Sequence, residues 1–247
     1  MKALSLLFTI FLALLFGCSQ RVTVGTVEVI DTSLSITPRA EQATIDAVRT
    51  QIGRMQRGDV LVLVPITGDE SNDAGGRTLF LQAPTIRESY DADLRSFRKD
   101  AAARFTTWVS MLGAEREKTD ILGSLDLARQ EIDALPSTSE RRLVVVSDFL
   151  EDDGQYRFTT EPSLVNRRRA EALAARLRAM HGFAVHGVAV CLGRLESADF
   201  PSLSPERKAA VAAFWAAYLA PLRFGPTIQI DPTGTLAGSN VGCFSEQ

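Results

Sequence analysis

Two uninterrupted apolar runs limit what this chain can become. Val60-Leu61-Val62-Leu63-Val64-Pro65-Ile66 carries no polar side chain, and Leu143-Val144-Val145-Val146 runs the same way before closing on Ser147-Asp148. A strand without a polar face has to be covered on both sides, as in a largely parallel sheet with helices packed on each face. The segments between supply those helices. After Pro38, well placed in a first helical turn, Ala43, Ala47 or Val48, Ile52 and Met55 recur at helical spacing to about Arg57, where Gly58-Asp59 stops the pattern. From Asp91 to Leu112, the residues Leu94, Phe97, Ala101, Phe105, Trp108, Val109 and Leu112 share one face. Further helices are predicted from Asp120 to Leu135, from about Ser163 to His181, and from Ser204-Pro205-Glu206 through Leu219.

Strands interleave with them. Val22 to Ile30 is rich in β-branched residues. Thr78 to Ala83 returns after a polar loop, Thr67 to Arg77, and so makes a hairpin. Arg142 to Phe149, Ala184 to Leu192 and a short stretch at Pro226 to Ile230 complete the set. The order predicts an α/β fold: an open, doubly wound, Rossmann-like sheet, mostly parallel, with one antiparallel edge strand and helices on both faces. Sites in such sheets lie beyond the carboxyl ends of the strands. Counting directions puts the end of the first strand, the start of the helix at Asp120 and the end of the Arg142 strand at that same edge. Without the returning hairpin strand, the helix start would fall on the opposite edge.

Asp31-Thr32-Ser33-Leu34-Ser35 follows the first strand, so a carboxylate and two hydroxyls, spaced by two, enter one tight turn. Hard oxygen donors suit magnesium, manganese or calcium and suit zinc or copper poorly. Alone, the pattern is also that of a helix N-cap. Two further segments join it: Lys118-Thr119-Asp120-Ile121-Leu122 at a helix start, and the strand closing on Ser147-Asp148. Asp-x-Ser-x-Ser, Thr-Asp-Ile and Ser-Asp, in that order, resemble the metal-ion-dependent adhesion site of von Willebrand factor type A domains, over residues 22–231. The resemblance implies that Ser33, Ser35 and Thr119 bind Mg²⁺ (or Mn²⁺ or Ca²⁺) through their hydroxyls. It implies that Asp31 and Asp148 hold the ion mainly through waters or hydrogen bonds. One position then stays open for an Asp or Glu of a protein partner. Asp120 reads chiefly as a helix N-terminal acid, with a metal-linked role as the alternative. Asp69, Glu70, Asp73, Glu151, Asp152 and Asp153 lie on loops at the same edge and read as a solvated rim, the alternative being a rim that selects the partner or adds cation sites. Arg167-Arg168-Arg169 reads as a solvated helix face.

The N-terminus is of a different kind. Lys2 precedes an almost unbroken apolar run, Ala3 to Phe16, too short to favour a stable membrane span and suited to a secretory signal. Leu15-Phe16-Gly17-Cys18 resembles the lipobox of bacterial lipoproteins. The expected organisation is a signal peptide over 1–17, a lipidated tether over 18–24 beginning at Cys18, the domain over 22–231 and a C-terminal tail over 232–247. Ser19 after the cysteine favours, by resemblance to Gram-negative lipoproteins, the outer membrane facing the periplasm. In such an oxidising compartment Cys191 and Cys243 could be bridged, stapling the Gly-rich tail to the sheet; the alternative is a buried Cys191 and an unpaired tail thiol.

A formal net charge of −3 leaves no basic face for nucleic acid. The two histidines, His181 and His186, accompany no Gly-x-Ser-x-Gly elbow and no His-Glu-x-x-His helix. The resulting expectation is a non-enzymatic, membrane-tethered module that captures a partner's acidic side chain through a divalent cation. Two alternatives stand beside it: a metal-dependent hydrolase on a similar sheet, and the same fold with a vestigial, metal-free site.

Overall fold

The computed structural model describes residues 22–68, 78–85, 90–112, 118–136, 140–181, 183–184, 187–219 and 243–244. The readings for the signal peptide, Cys18, the hairpin-loop acids Asp69, Glu70 and Asp73, His186 and the strand at 226–230 lie outside these residues.

Strands β1 (Val24–Asp31), β2 (Val60–Ile66), β3 (Leu79–Gln82), β4 (Glu140–Ser147), β5 (Val188–Arg194) and β6 (Cys243–Phe244) form one sheet in the order β3-β2-β1-β4-β5-β6. β2, β1, β4 and β5 run parallel, and β3 pairs antiparallel with β2 at one edge, as the sequence requires. At the other edge, β6 pairs antiparallel with β5, an addition from the C-terminal segment. β2 is buried along its whole length, which explains its unbroken apolar run. Its Pro65 lies past Leu63, where pairing with β3 ends, so on that side the missing N–H leaves no ladder bond unmade.

Among the described residues five α-helices cover the faces: α1 (Pro38–Arg54), α2 (Tyr90–Met111), α3 (Ile121–Ala134), α4 (Arg167–His181) and α5 (Pro205–Tyr218). α3, α4 and α5 bury one face, where Val27, Val29, Val62, Val145 and Val190 meet Leu125, Leu173 and Phe214. α1 and α2 bury the other, with Val48, Ile52, Phe105 and Trp108 against Ile30, Leu61, Leu63 and Leu81. Among the described residues no helix is long and apolar enough to cross a membrane.

Several boundaries move for local reasons. α1 starts under the Thr37 hydroxyl, which accepts the Ala40 N–H, and stops short of Arg57 because Asp59 takes the N–H groups of Gln56 (2.7 Å) and Val24 (3.1 Å). α4 begins at Arg167 and not near Ser163. Glu161 accepts the Ser163 and Leu164 N–H groups in a turn, and the Asn166 side chain then caps Arg169. β4 ends at Ser147, two residues before the predicted Phe149, where the backbone of Phe149 takes a left-handed φ of 63°.

Candidate metal centre

β1 delivers Asp31 to the carboxyl edge of the sheet. Its Oδ1 accepts the Ser33 N–H at 2.9 Å, closing a turn in which the Ser33 and Ser35 hydroxyls lie 2.9 Å apart. The turn is sewn to the segment after β5: the Ala198 N–H donates to the Ser35 carbonyl at 2.9 Å and the Thr37 N–H to the Glu196 carbonyl at 3.0 Å. Thr119 reaches the same edge from elsewhere. Its backbone exchanges two 2.9 Å hydrogen bonds with Asp152, and the next N–H, of Asp120, donates at 3.1 Å to Thr67, just past the end of β2. That is the edge the direction count assigns it.

Ser33, Ser35 and Thr119 line one cavity of about 620 Å³, with Asp152, Arg157 and Asp199 among its walls. The carboxylates stand behind it and do not line it. Asp31, 1% exposed, borders a small pocket against α1 and α2; Asp148, fully buried, borders an apolar pocket of about 280 Å³ beside α5.

The two acids are held differently. Asp31 Oδ2 accepts the Ser147 hydroxyl at 2.7 Å. Asp148 Oδ1 accepts the Leu150 N–H at 2.9 Å, while its buried Oδ2 has no close hydrogen-bond partner among the described residues. Burial pushes the Asp31 carboxyl up, against the pull of hydrogen bonds from Ser147 and Ser33. Burial also raises Asp148, and the Asp31 charge raises it further, with Leu150 and Ser197 offsetting part of the rise. Two buried carboxylates that repel, and three hydroxyl-bearing residues of two distant segments lining one cavity, are a residue set whose hard oxygens suit a divalent cation.

Phe149 shapes this edge. A left-handed φ at a bulky residue costs about 1–3 kcal/mol and persists only where its surroundings fix it. Here the Ser147 hydroxyl accepts the Phe149 N–H (2.9 Å), the Trp215 indole N–H donates to its carbonyl (2.9 Å), and the two rings pack 5.8 Å apart.

Glu151 corrects the reading of a uniformly solvated rim. It is 1% exposed, and its Oε2 accepts the Ile121 and Leu122 N–H groups at 3.1 and 3.2 Å, at the positive end of α3. Asp120 is the N-cap of α3, accepting the Gly123 N–H at 2.7 Å. Asp120, Glu151 and Asp153 each bring a carboxylate oxygen within 4.8 Å of the others, an Asp/Glu cluster that could bind a divalent metal. His181, with Nδ1 2.8 Å from Asp126 Oδ2, lies within electrostatic reach of Asp120.

Sequence reasoning assigned no role to Ser147 or Ser197 and read Glu151 as part of a solvated rim, with an added cation site as the alternative. Only Ser147 left a trace: a hydroxyl closing an otherwise apolar strand immediately before a carboxylate.

Fold and site together describe an open α/β domain with a hydroxyl-lined, carboxylate-backed cavity at the carboxyl ends of its parallel strands. No protein-family model matches this chain, and no curated protein matches it. Among solved structures it is similar to the conserved hypothetical protein BatB from Bacteroides thetaiotaomicron, at 15% identity and a TM-score of 0.38 over 68% of this chain and 65% of that one. It is similar to the pilus adhesin SpaC from Lactobacillus rhamnosus GG, at 11% and 0.46 over 82% of this chain and 28% of that one. It is also similar to a von Willebrand factor type A protein from Catenulispora acidiphila, at 16% and 0.39 over 78% of this chain and 43% of that one. The chain thus spans less than two thirds of each of these proteins. The fold assignment rests on strand order and direction, not on these likenesses.

Proposed function

We propose that this protein is a binding module in which Ser33, Ser35 and Thr119 hold a divalent cation, Mg²⁺ or else Mn²⁺ or Ca²⁺, through their hydroxyls. Asp31 and Asp148 supply negative charge behind it, through waters or hydrogen bonds. A cation with few directly bound carboxylates stays under-neutralised and keeps a position for a foreign oxygen. An Asp or Glu side chain of a partner protein suits that vacancy. The observation that carries this reading is the convergence of three hydroxyls, from segments 86 residues apart between Ser33 and Thr119 (119 − 33), on one open cavity backed by two buried acids.

The proposal extends to location. Cys18, after a secretory apolar run, carries the lipid that tethers the module to the bacterial cell envelope, at the outer membrane facing the periplasm. Loss of labelled-palmitate incorporation in Cys18→Ser is the expected result, and undiminished labelling contradicts it.

The function is tested by capture from envelope extracts with Mg²⁺ or with EDTA, using wild type and Ser33→Ala. Partners retained only by wild type with Mg²⁺, and competed by a Glu-bearing peptide, support the reading. Capture indifferent to EDTA and to Ser33→Ala overturns it.

A further inference from the structure

A second cluster of oxygens adjoins the hydroxyl cavity, sharing Glu151 with its wall, and no part of the proposed adhesion chemistry uses its carboxylates. Asp120, Glu151 and Asp153 each give one carboxylate oxygen to backbone N–H groups. Asp120 Oδ1 takes Gly123 at 2.7 Å, Glu151 Oε2 takes Ile121 and Leu122, and Asp153 Oδ1 takes Gln155 and Tyr156 at 2.6 Å. The carboxylates are therefore fixed in place before any ligand arrives. An oxygen from each lies within 4.8 Å of the other two.

An acidic cluster alone is commonplace on a protein surface. This one contains a buried member. Glu151 is 1% exposed, and its Oε1 has no hydrogen-bond partner among the described residues. A carboxylate oxygen withdrawn from water and left unpaired is unfavourable by the desolvation of a charged acceptor, unless a cation or a proton compensates it. Burial is the main reason the Glu151 carboxyl is pushed well up, and the charges of Asp120 and Asp153 raise it further. Among the described residues none of the three acids makes an ion pair, and the His181 charge offsets that of Asp120 only in part.

The geometry points to a second cation site, formed by Asp120, Glu151 and Asp153, whose all-carboxylate donor set takes a hard divalent cation, Ca²⁺. Three carboxylates and little else suit Ca²⁺, which takes about six to eight oxygens in flexible geometry, better than Mg²⁺, which demands near-ideal octahedral geometry and keeps several waters. Its place in the fold gives it a structural task. Asp120 follows Thr119, and Asp152, whose backbone pairs with Thr119, lies between Glu151 and Asp153. A calcium ion here ties the entry of α3 to the loop after β4. The assignment stands whether or not the hydroxyl site binds metal.

The test is calorimetric titration of the metal-stripped full chain with Ca²⁺ alone, in wild type, Ser33→Ala, Asp153→Asn and Glu151→Gln. Ser33→Ala should still bind one Ca²⁺ with wild-type affinity. Asp153→Asn keeps its turn-forming acceptor and should weaken that same binding by about tenfold or more. Glu151→Gln should do likewise. Because Asp153 is only half-buried, its variant decides the matter even if Glu151→Gln fails to fold. Unchanged Ca²⁺ affinity in Asp153→Asn overturns the assignment. So does loss of all Ca²⁺ binding in Ser33→Ala, which would place calcium at the hydroxyl site alone. Failure of Mg²⁺-dependent partner capture would bear on the proposed function and not on this site.

Discussion

The Ser147 hydroxyl donates a 2.7 Å hydrogen bond to Asp31 Oδ2, joining the ends of β4 and β1 across 116 residues of sequence. The same oxygen accepts the Phe149 N–H at 2.9 Å, so one buried hydroxyl both orients Asp31 and fixes the left-handed turn that follows Asp148. Ser147→Ala leaves a buried carboxylate oxygen and a buried N–H without that partner. The expected loss is about 2–4 kcal/mol of unfolding free energy, read from urea denaturation. A change below about 0.5 kcal/mol, the level of an ordinary surface substitution, would show that this hydroxyl does not organise the edge.

Glu28 makes a different prediction. It is fully buried in the central strand, both its oxygens lack partners among the described residues, and burial pushes its carboxyl up to about 8 from an ordinary 4.5. Between those values the folded protein keeps a proton that the unfolded chain gives up. Stability is therefore fully present at the acid end, falls as pH rises from about 4.5 to about 8, and is flat above. The drop attributable to this one group is on the order of 5 kcal/mol. Glu28→Gln should flatten that slope and raise the melting temperature at pH 8. An unchanged pH profile in the variant would contradict the account.

Glu28 and Glu151 also show where the sequence stopped being legible. The buried runs of β2 and β4, the helical periods of α1 and α2, and the returning β3 strand read directly, because each is a repeating pattern imposed by burial. The placement of Thr119 followed from counting strand directions. A single glutamate in a β-branched strand looks like an outward polar residue, and only the position of β1 between β2 and β4, with helices on both faces, makes it buried. Glu151 looked like one of three solvent charges. Its burial depends on the positive end of α3, which begins 30 residues earlier at Ile121. Cys243-Phe244 sits in a Gly-rich segment whose composition conceals a strand.

Cys191 is disulfide-bonded, and Cys243 stands directly opposite it in the β5–β6 register. If the two are bridged, Cys191→Ser and Cys243→Ser should each lower stability by roughly 2–4 kcal/mol. The double variant should then be no less stable than either single one. Additive losses in denaturant titrations would separate the two cysteines and refute the bridge.

The central claim is that Ser33, Ser35 and Thr119 surround a cation. Anomalous diffraction from crystals grown with Mn²⁺ tests it most directly. The account predicts a manganese peak within bonding distance of all three hydroxyl oxygens, absent in Ser33→Ala. A wild-type crystal with no peak among those hydroxyls, or with manganese only between Asp120, Glu151 and Asp153, would contradict it.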